Sequence, residues 1–307
     1  MSRAGIDVGG TKILGVVVDD DGRILHESRR PSRYDADFLI DDIVAVARDL
    51  GPWSSLGVGV PGLVSTSGVL QSAPNLGGLT LVPVGNRLAA EFGHRVSVDN
   101  DATCAAVAEW QFGAARGAND VALITLGTGL GGGLIIGGRV QRGSHGFAGE
   151  PGHMMVDPNG PRCVCGQNGC WERFASGAGL AWHAEQAIKM GVPSLLAKTG
   201  RPIRGIDVGE AVELGDPAAI AAFDRLAYWL AYGLVNLINL LDPEVSVIGG
   251  GLVNSAQHYL ERTRHYLGQL RYADHARPRI QLRPAQLGEQ AGAVGAALIG
   301  AMNPETA

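Results

Sequence analysis

Cysteine is scarce in this 307-residue chain, with four in all, and that excludes a scaffold stapled by disulfides. Net charge is small: at −5 there is no basic field for nucleic acid. No leader-like apolar stretch follows Met1, because Arg3-Ala4-Gly5-Ile6-Asp7 runs straight into a strand pattern. The most apolar later run, Tyr228 to Leu241, is 14 residues long and is broken by Asn236 and Asn239. That falls short of the ~20 residues a membrane span needs and reads as buried core helix. These absences predict a cytoplasmic protein with no membrane and no nucleic-acid partner.

Apolar residues and glycine are plentiful. A hydrophobic share of 46% supports real cores and excludes global disorder. At ~100–200 residues per domain, the length suggests two compact domains or one large one. The 46 glycines are about twice the ordinary share of ~7%. They are not periodic and gather at the ends of apolar runs, which points to tight turns and close backbone approach to a ligand.

The first half reads as a glycine-punctuated α/β region. Ile6 and Ile13 to Val18 predict two strands joined by Asp7-Val8-Gly9-Gly10-Thr11-Lys12, with a third over Arg23 to Ser28. Phe38, Ile40, Ile43, Val44 and Ala47 have helical spacing, and the helix should stop near Gly51-Pro52. Leu56 to Val60 and Arg95 to Val98 predict strands, Leu88 to Phe92 the end of a short helix stopped by Gly93, and Asn100-Asp101 the start of a helix to about Gly113. Val121 to Leu126 and Leu134 to Ile136 predict a second strand pair around a glycine loop, followed by a loop-rich stretch from Gly143 to Trp171. Helices dominate from Ala178, with a long one from about Pro217 to Leu241. A strand over Glu244 to Ile248, a helix over Ala256 to Leu270, a strand over Arg279 to Leu282 and a small-residue helix over Ala291 to Met302 complete the pattern. The domain boundary is expected between Gly113 and Ala118.

Asp7-Val8-Gly9-Gly10-Thr11 and Leu126-Gly127-Thr128-Gly129-Leu130-Gly131 echo each other as strand, glycine turn with threonine, strand. Two such hairpins can clamp a polyphosphate with backbone N–H groups, or be unrelated turns in a glycine-rich chain. The second formally matches the dinucleotide pattern GxGxxG, but that pattern must open a helix and here a strand follows. Gly249-Gly250-Gly251 lies between a strand and a helix, where the backbone can meet a ring or phosphate, or simply turn. Asn100-Asp101 is either a helix cap or a carboxylate at a strand's C-terminal end, where α/β proteins place catalytic groups.

The strongest cluster is His153, Cys163, Cys165 and Cys170: a C-x-C-x4-C run with a histidine ten residues upstream. In a reducing cytosol this predicts a closed, structural Cys3His zinc site, with a redox cysteine pair as the alternative. Cys104 reads as a small buried hydrophobe. Glu150 and Glu172 flank the knuckle and either accept hydrogen bonds from sugar hydroxyls or are surface charge. Arg29, Arg30 and Arg33 read as a solvated basic face, and His94, His145 and His183 have no partner that spacing identifies.

Together these residues resemble the ROK family of bacterial sugar kinases and repressors, most of all its ATP-dependent glucokinases. The resemblance covers essentially the whole chain and is most specific in Gly149-Glu150-Pro151-Gly152-His153 and Cys163-Val164-Cys165-Gly166-Gln167-Asn168-Gly169-Cys170-Trp171-Glu172. It implies an actin-like (ribonuclease H-like) α/β fold of two domains, each with a mixed five-stranded sheet, and a cleft between them. The smaller domain would span 1–115 and be completed by the C-terminal helix, about 289–307; the larger would span 116–288. The resemblance implies Asp101 as catalytic base and Asn75, Asn100, Glu150, His153 and Glu172 as sugar ligands. It assigns Asp7, Gly9, Gly10, Thr11 and Lys12 to one phosphate hairpin, Thr128, Gly129 and Gly131 to the second, and Gly249, Gly250 and Gly251 to the nucleotide side. His153, Cys163, Cys165 and Cys170 match the zinc ligands. The implied cofactors are ATP, Mg²⁺ held through water by Asp7, and structural Zn²⁺; the implied partners are a sugar and a nucleotide, in a homo-oligomer (dimer or tetramer). Pro151 departs from the aliphatic residue usual there and fixes φ in the sugar loop. The family's repressors carry a winged helix before this core, and with six residues ahead of Asp7 none is expected here. The expected reaction is ATP:glucose phosphotransfer to the 6-hydroxyl. Alternatives are another hexose (N-acetylglucosamine, N-acetylmannosamine, fructose or allose), polyphosphate as donor, or a sugar-sensing regulator without turnover.

Overall fold

The computed structural model describes residues 2–33, 35–279 and 281–302. Ile280 of the expected last strand and residues 303–307 of the expected C-terminal completion lie outside the described residues. The chain divides into two compact units: Met1–Leu123 with Gly132–Gly149 and Ala285–Ala307, and Ile124–Gly131 with Glu150–Pro284. The first unit therefore runs past residue 115 and takes back 132–149.

In the first unit, β1 (Arg3–Val8) and β2 (Lys12–Val18) pair antiparallel from Arg3↔Val18 to Val8↔Ile13. β3 (Ile24–Pro31) pairs antiparallel with β2 and ends three residues beyond the Ser28 that its apolar pattern predicts. Helix α1 (Ala36–Asp49) starts at Asp35, whose side chain accepts from the N–H groups of Asp37 and Phe38. β4 (Ser55–Val60) runs parallel to β1. A small antiparallel sheet follows, β5 (Leu63–Val64), β6 (Leu70–Ala73) and β7 (Leu79–Val82), and then α2 (Val84–Phe92), which ends at Gly93 with φ +74°. β8 (Ser97–Asn100) pairs parallel with β4 and completes the order β3-β2-β1-β4-β8. Helix α3 (Asp101–Phe112) follows at once.

The second five-stranded sheet has the order β11-β10-β9-β12-β13. Its hairpin is β9 (Val121–Leu126) and β10 (Leu130–Ile136), followed by β11 (Arg139–Val140). Gly131, Gly132 and Gly133 thus belong to a strand rather than to the loop. A Cβ at Gly133 would lie 2.6 Å from the Ala106 Cβ, so this glycine admits α3.

The second unit continues with α4 (Gly177–Lys189), α5 (Gly205–Glu213) and α6 (Pro217–Leu241). It ends with β12 (Val245–Gly249), α7 (Ala256–Leu270) and β13 (Gln281–Pro284), parallel to β12. α6 begins as the sequence dictates, with Asp216 as N-cap and Pro217 at the first position. It is the one helix among the described residues long and apolar enough to cross a membrane, and 61% of its most apolar window is buried in the protein. Phe223, Leu226, Leu230 and Leu234 lie in the unit's core.

The chain then returns to the first unit as α8 (Ala291–Ala301), eight of whose eleven residues are Ala or Gly. Its backbone lies directly on β1 and β4: a Cβ at Gly5 would sit 2.0 Å from the Ala293 carbonyl oxygen, and one at Gly57 1.9 Å from that of Ala296. Much of the glycine excess in this unit serves close packing of helix on sheet.

Candidate active site

β1, β4 and β8 run parallel, and two carboxylates stand at their carboxyl ends, where α/β sheets carry chemistry. Asp7 is on β1, and Asp101 follows β8 as the first residue of α3. Asn100 is the cap: its Oδ1 accepts from the N–H of Ala102 (2.9 Å) and Thr103 (3.1 Å), and its Nδ2 donates to the Gly62 carbonyl at 3.1 Å. One amide hydrogen is left for a ligand, so its role as sugar ligand is limited to that donor. Asp101 Oδ1 accepts from the Ala102 N–H at 2.9 Å. Burial raises the Asp101 pKa against that hydrogen bond. Burial also pushes Asp7 up to about 7; the charge of Asp101 adds to the rise and Lys12 opposes it.

The turn after Asp7 closes through the Gly9 N–H on the Lys12 carbonyl at 2.8 Å. A Cβ at Gly10 would lie 3.7 Å from the Asn75 carbonyl oxygen, so this turn and the exposed β6–β7 turn that carries Asn75 are neighbours. A Cβ at Gly292 would lie 2.5 Å from the Asp7 carboxylate, which packs on the first turn of α8. Lys12 is ion-paired with Glu289, which also pairs with Arg29 at 2.6 Å. No spacing signal in the sequence links residues this far apart.

The second glycine turn carries no ionisable side chain. The Gly127 N–H donates to the Gly129 carbonyl at 3.0 Å, and the first N–H groups of α4 hold the turn from behind: Gly177 to Gly127 O at 2.8 Å, Ala178 to Thr128 O at 3.2 Å. Thr128 is exposed. A Cβ at Gly129 would lie 2.6 Å from Glu172 Oε2, while Gly127 faces open space. Gly250 has φ +79° and a Cβ there would lie 2.5 Å from the Leu126 carbonyl oxygen, so backbone packing requires this glycine. Gly251 faces open space and Gly249 ends β12.

The knuckle gathers His153, Cys163, Cys165 and Cys170, with their donor atoms all within 4.8 Å of one another. A tetrahedral zinc with Zn–S near 2.3 Å sets sulfur–sulfur distances of about 3.7 Å. Cys165 and Cys170 Sγ are 3.6 Å apart, and His153 Nδ1 is 3.9 Å from Cys163 Sγ, so these residues fit the metal. His153 ends a single 3₁₀ turn, Pro151–His153, with Pro151 at its first position, where a missing N–H is tolerated. The loop closes through the Cys163 N–H on Gln167 O at 2.7 Å, with Gly166 at φ +93°. Trp171 anchors it: fully buried, it fills the notch opposite Gly233, where a Cβ would lie 2.0 Å from the ring, and its Nε1 donates to Trp229 O at 2.7 Å. The Cys163 thiol donates to Glu172 Oε1 at 2.9 Å. Burial and that carboxylate both push the thiol up. Glu150 is half-buried at the start of the same turn.

Several sequence expectations change. Arg29, Arg30 and Arg33 are paired with Glu27 and Glu289, Asp49 and Asp42 respectively, rather than simply solvated. His183 is buried, contacts the Phe174 carbonyl at 3.0 Å and is pushed down to about 4 by burial, so it stays neutral. Local spacing does not reveal the role of Ser176: its buried hydroxyl donates to the Glu172 carbonyl at 2.6 Å and accepts from the Gly179 N–H at 3.1 Å. Its signal was a serine opening the glycine-rich start of α4.

The ROK family profile matches residues 3–302, and the chain belongs to this family. It is 38% identical to a glucokinase of Streptomyces coelicolor over 95% of both chains. It is 30% identical to a xylose repressor of Bacillus spizizenii, over 95% of this chain and 74% of that protein. The structure superposes with a TM-score of 0.87 on a ROK family glucokinase from Streptomyces griseus in complex with glucose and AMPPNP, at 37% identity, covering 98% of this chain and 99% of that one. The fold is accordingly the actin-like one of these sugar kinases.

Proposed function

We propose that this member of the ROK family is an ATP-dependent hexose kinase that phosphorylates glucose to glucose 6-phosphate. The carrying observation is the half-buried carboxylate pair, Asp7 and Asp101, at the ends of parallel strands, with desolvation raising the pKa of both. The glucokinase relatives supply the substrate class. Asp101 takes the proton of the attacking hydroxyl as its oxygen bonds to the γ-phosphorus and the bond to ADP breaks. Asn75, the remaining amide hydrogen of Asn100, Glu150, His153 and Glu172 orient the sugar. The Asp7–Lys12 turn, Thr128 to Gly131 and Gly249 to Gly251 cradle the nucleotide with backbone N–H groups. Mg²⁺, when bound, neutralises charge on the phosphate oxygens, and Asp7 would hold it through water. Lys12, paired with Glu289, exchanges that partner for phosphate. In the knuckle, His153 Nδ1 faces the sulfurs, which leaves Nε2–H to donate to a sugar hydroxyl. A metal-bound thiolate has no proton to give, so Glu172 Oε1 then has acceptor capacity for the sugar. Cytoplasmic location and a homodimer or homotetramer belong to the same proposal; light scattering checks the latter.

A coupled ADP-release assay across a sugar panel, with ATP and polyphosphate as donors, tests the reading. Glucose with ATP should give the highest kcat/KM. Preference for N-acetylglucosamine or for polyphosphate would change the substrate or donor. Sugar binding without turnover would replace the kinase by a sugar sensor, a class represented by the similar xylose repressor.

A further inference from the structure

A cavity of about 1010 Å³ opens on the first unit, and the proposed kinase chemistry uses none of the residues that line it. Its size is at the upper end of the ~300–1,000 Å³ typical of small-molecule sites. Its walls all belong to that unit: the β5–β6 turn, the first turns of α2, β8, the segment after β11 and the end of α8. These walls are locked together. The Thr66 N–H donates to the His145 carbonyl at 3.2 Å and the Gly85 N–H to the Gly68 carbonyl at 3.0 Å, while a Cβ at Gly146 would lie 2.4 Å from the Val64 carbonyl oxygen. By alternation Asp99 takes one face of β8 and Asn100 the other. Asp99 is buried and is the one carboxylate on the lining among the described residues. Its Oδ1 accepts from the Asn100 N–H at 2.8 Å, and its Oδ2 accepts from Arg142 Nε at 2.6 Å. That contact uses one of the five N–H donors of the guanidinium. Neither terminal nitrogen of Arg142 has a partner among the described residues, and at 20% exposure the side chain remains reachable. The exposed Arg95, on the same lining, makes no ion pair among the described residues.

We propose that this cavity is a second ligand site, separate from the proposed active site, for a small hydroxyl-bearing phosphomonoester. The phosphate group meets Arg142 and Arg95. Guanidinium binds phosphate through paired N–H groups, and a phosphomonoester offers three acceptor oxygens to two such forks. Asp99 holds Arg142 in place before any ligand arrives, so little side-chain freedom is lost on binding. With two guanidiniums against one carboxylate the lining keeps a net positive charge. Ser67, Ser144 and Asn86 add hydroxyl and amide groups that match hydroxyls on the ligand. No aromatic side chain lines the cavity among the described residues, so a nucleobase finds nothing to stack on. A compact polyol phosphate fits this chemistry better than a nucleotide or a bare anion.

The test is calorimetric titration of the whole chain with glycerol 3-phosphate, inorganic phosphate and glycerate. Glucose and a non-hydrolysable ATP analogue are kept at saturation, so that the proposed active site is filled. Glycerol 3-phosphate should bind once per chain with a Kd below about 1 mM. It should bind at least about tenfold tighter than inorganic phosphate, which lacks the polyol, or glycerate, which lacks the phosphate. Arg142→Lys keeps a cation for Asp99 and loses the fork, and Arg95→Glu reverses an exposed charge. Each should weaken glycerol 3-phosphate at least about tenfold, the cost of a lost charged hydrogen bond. Arg95→Glu should leave glucose kcat/KM unchanged, and it decides alone if Arg142→Lys fails to fold. Absence of saturable binding overturns the proposal, as does undiminished binding in the folded variants, or inorganic phosphate or glycerate binding as tightly. If glucose and the analogue do not bind, the same titration without them decides through the variants. Absent turnover of every sugar overturns the kinase reading and leaves this site standing.

Discussion

The two glycine turns look alike in sequence and are built for different work. The Asp7–Lys12 turn carries charge: Asp7 sits in the field of Asp101, Lys12 is paired with Glu289, and the Ser32 hydroxyl holds the Gly9 carbonyl at 2.6 Å. The Leu126–Gly131 turn carries none and is positioned by the start of α4 and by Glu172 beside the Cys3His knuckle. Even the closures differ, Gly9 to Lys12 in one and Gly127 to Gly129 in the other, and the first turn answers to protonation while the second answers to whatever orders the knuckle. Changes of charge should therefore appear as rate and pH effects, and changes at the metal as binding effects.

The largest expected effect is on the charged side. Asp101→Asn removes a general base, which typically costs ~10²–10⁴-fold, so kcat should drop by at least ~100-fold while glucose still binds in calorimetry. Because a base must be ionised and burial raises Asp101, kcat/KM should fall with decreasing pH along a limb above the ordinary value of 3.8. That limb should be absent in the substituted protein. Retention of more than about a tenth of kcat would reject Asp101 as the base.

Removing the metal should act on binding instead. Chelation or Cys165→Ala should raise the glucose Kd at least ~10-fold, because His153, Glu150 and Glu172 lose a common support. Metal analysis should give about one zinc per chain, what one four-ligand site holds. Nucleotide affinity should fall too, but less, since Glu172 reaches the second turn only through Gly129. Fully active zinc-free protein would end this reading, as would equal losses for both ligands in a folded variant.

What the sequence conveyed follows from physical scale. Pro217–Leu241 and Ala256–Leu270 are legible because their apolar spacing is long and the first has a clear cap. The Cys3His cluster is legible because its ligands are local in the chain. The β5–β7 sheet escapes because its strands have two to four residues, too few for a period. The expected strand starts at Leu134 and β10 at Leu130 because a run of three glycines, Gly133 among them packed on α3, imitates a loop. The pairing of Lys12 with Glu289 and the hydrogen bonds behind Gly127 are contacts between distant segments, which local pattern does not encode. Asn100-Asp101 was undecidable from a dipeptide, and the structure divides it: Asn100 caps, and Asp101 keeps an oxygen that no cap contact uses.

The smallest effect is on stability, and it bears on why the first turn carries so expensive a group. Asp7 is pushed up to about 7 from an ordinary 3.8, by burial first and by Asp101 second. Below pH 3.8 folded and unfolded chains both hold the proton, and the group contributes no difference. Between 3.8 and about 7 the unfolded chain releases it and the folded one keeps it, so stability declines as pH rises. Above about 7 the loss is complete. At ~1.4 kcal/mol per pKa unit the nominal figure is about 4 kcal/mol, and relaxation around the carboxylate should reduce it to about 1–3. Asp7→Asn carries no charge to bury and should melt higher than wild type at pH 8, by roughly 2–4 °C per kcal/mol. The two proteins should converge as the pH is lowered toward 3.8. Magnesium with nucleotide should narrow the gap at pH 8 by stabilising wild type alone, because a ligand adds stability only to the folded state that binds it. Equal melting temperatures at pH 8 would mean that Asp7 is not strained by its surroundings, and the distinction between a charged turn and a scaffolded one would lose its electrostatic half.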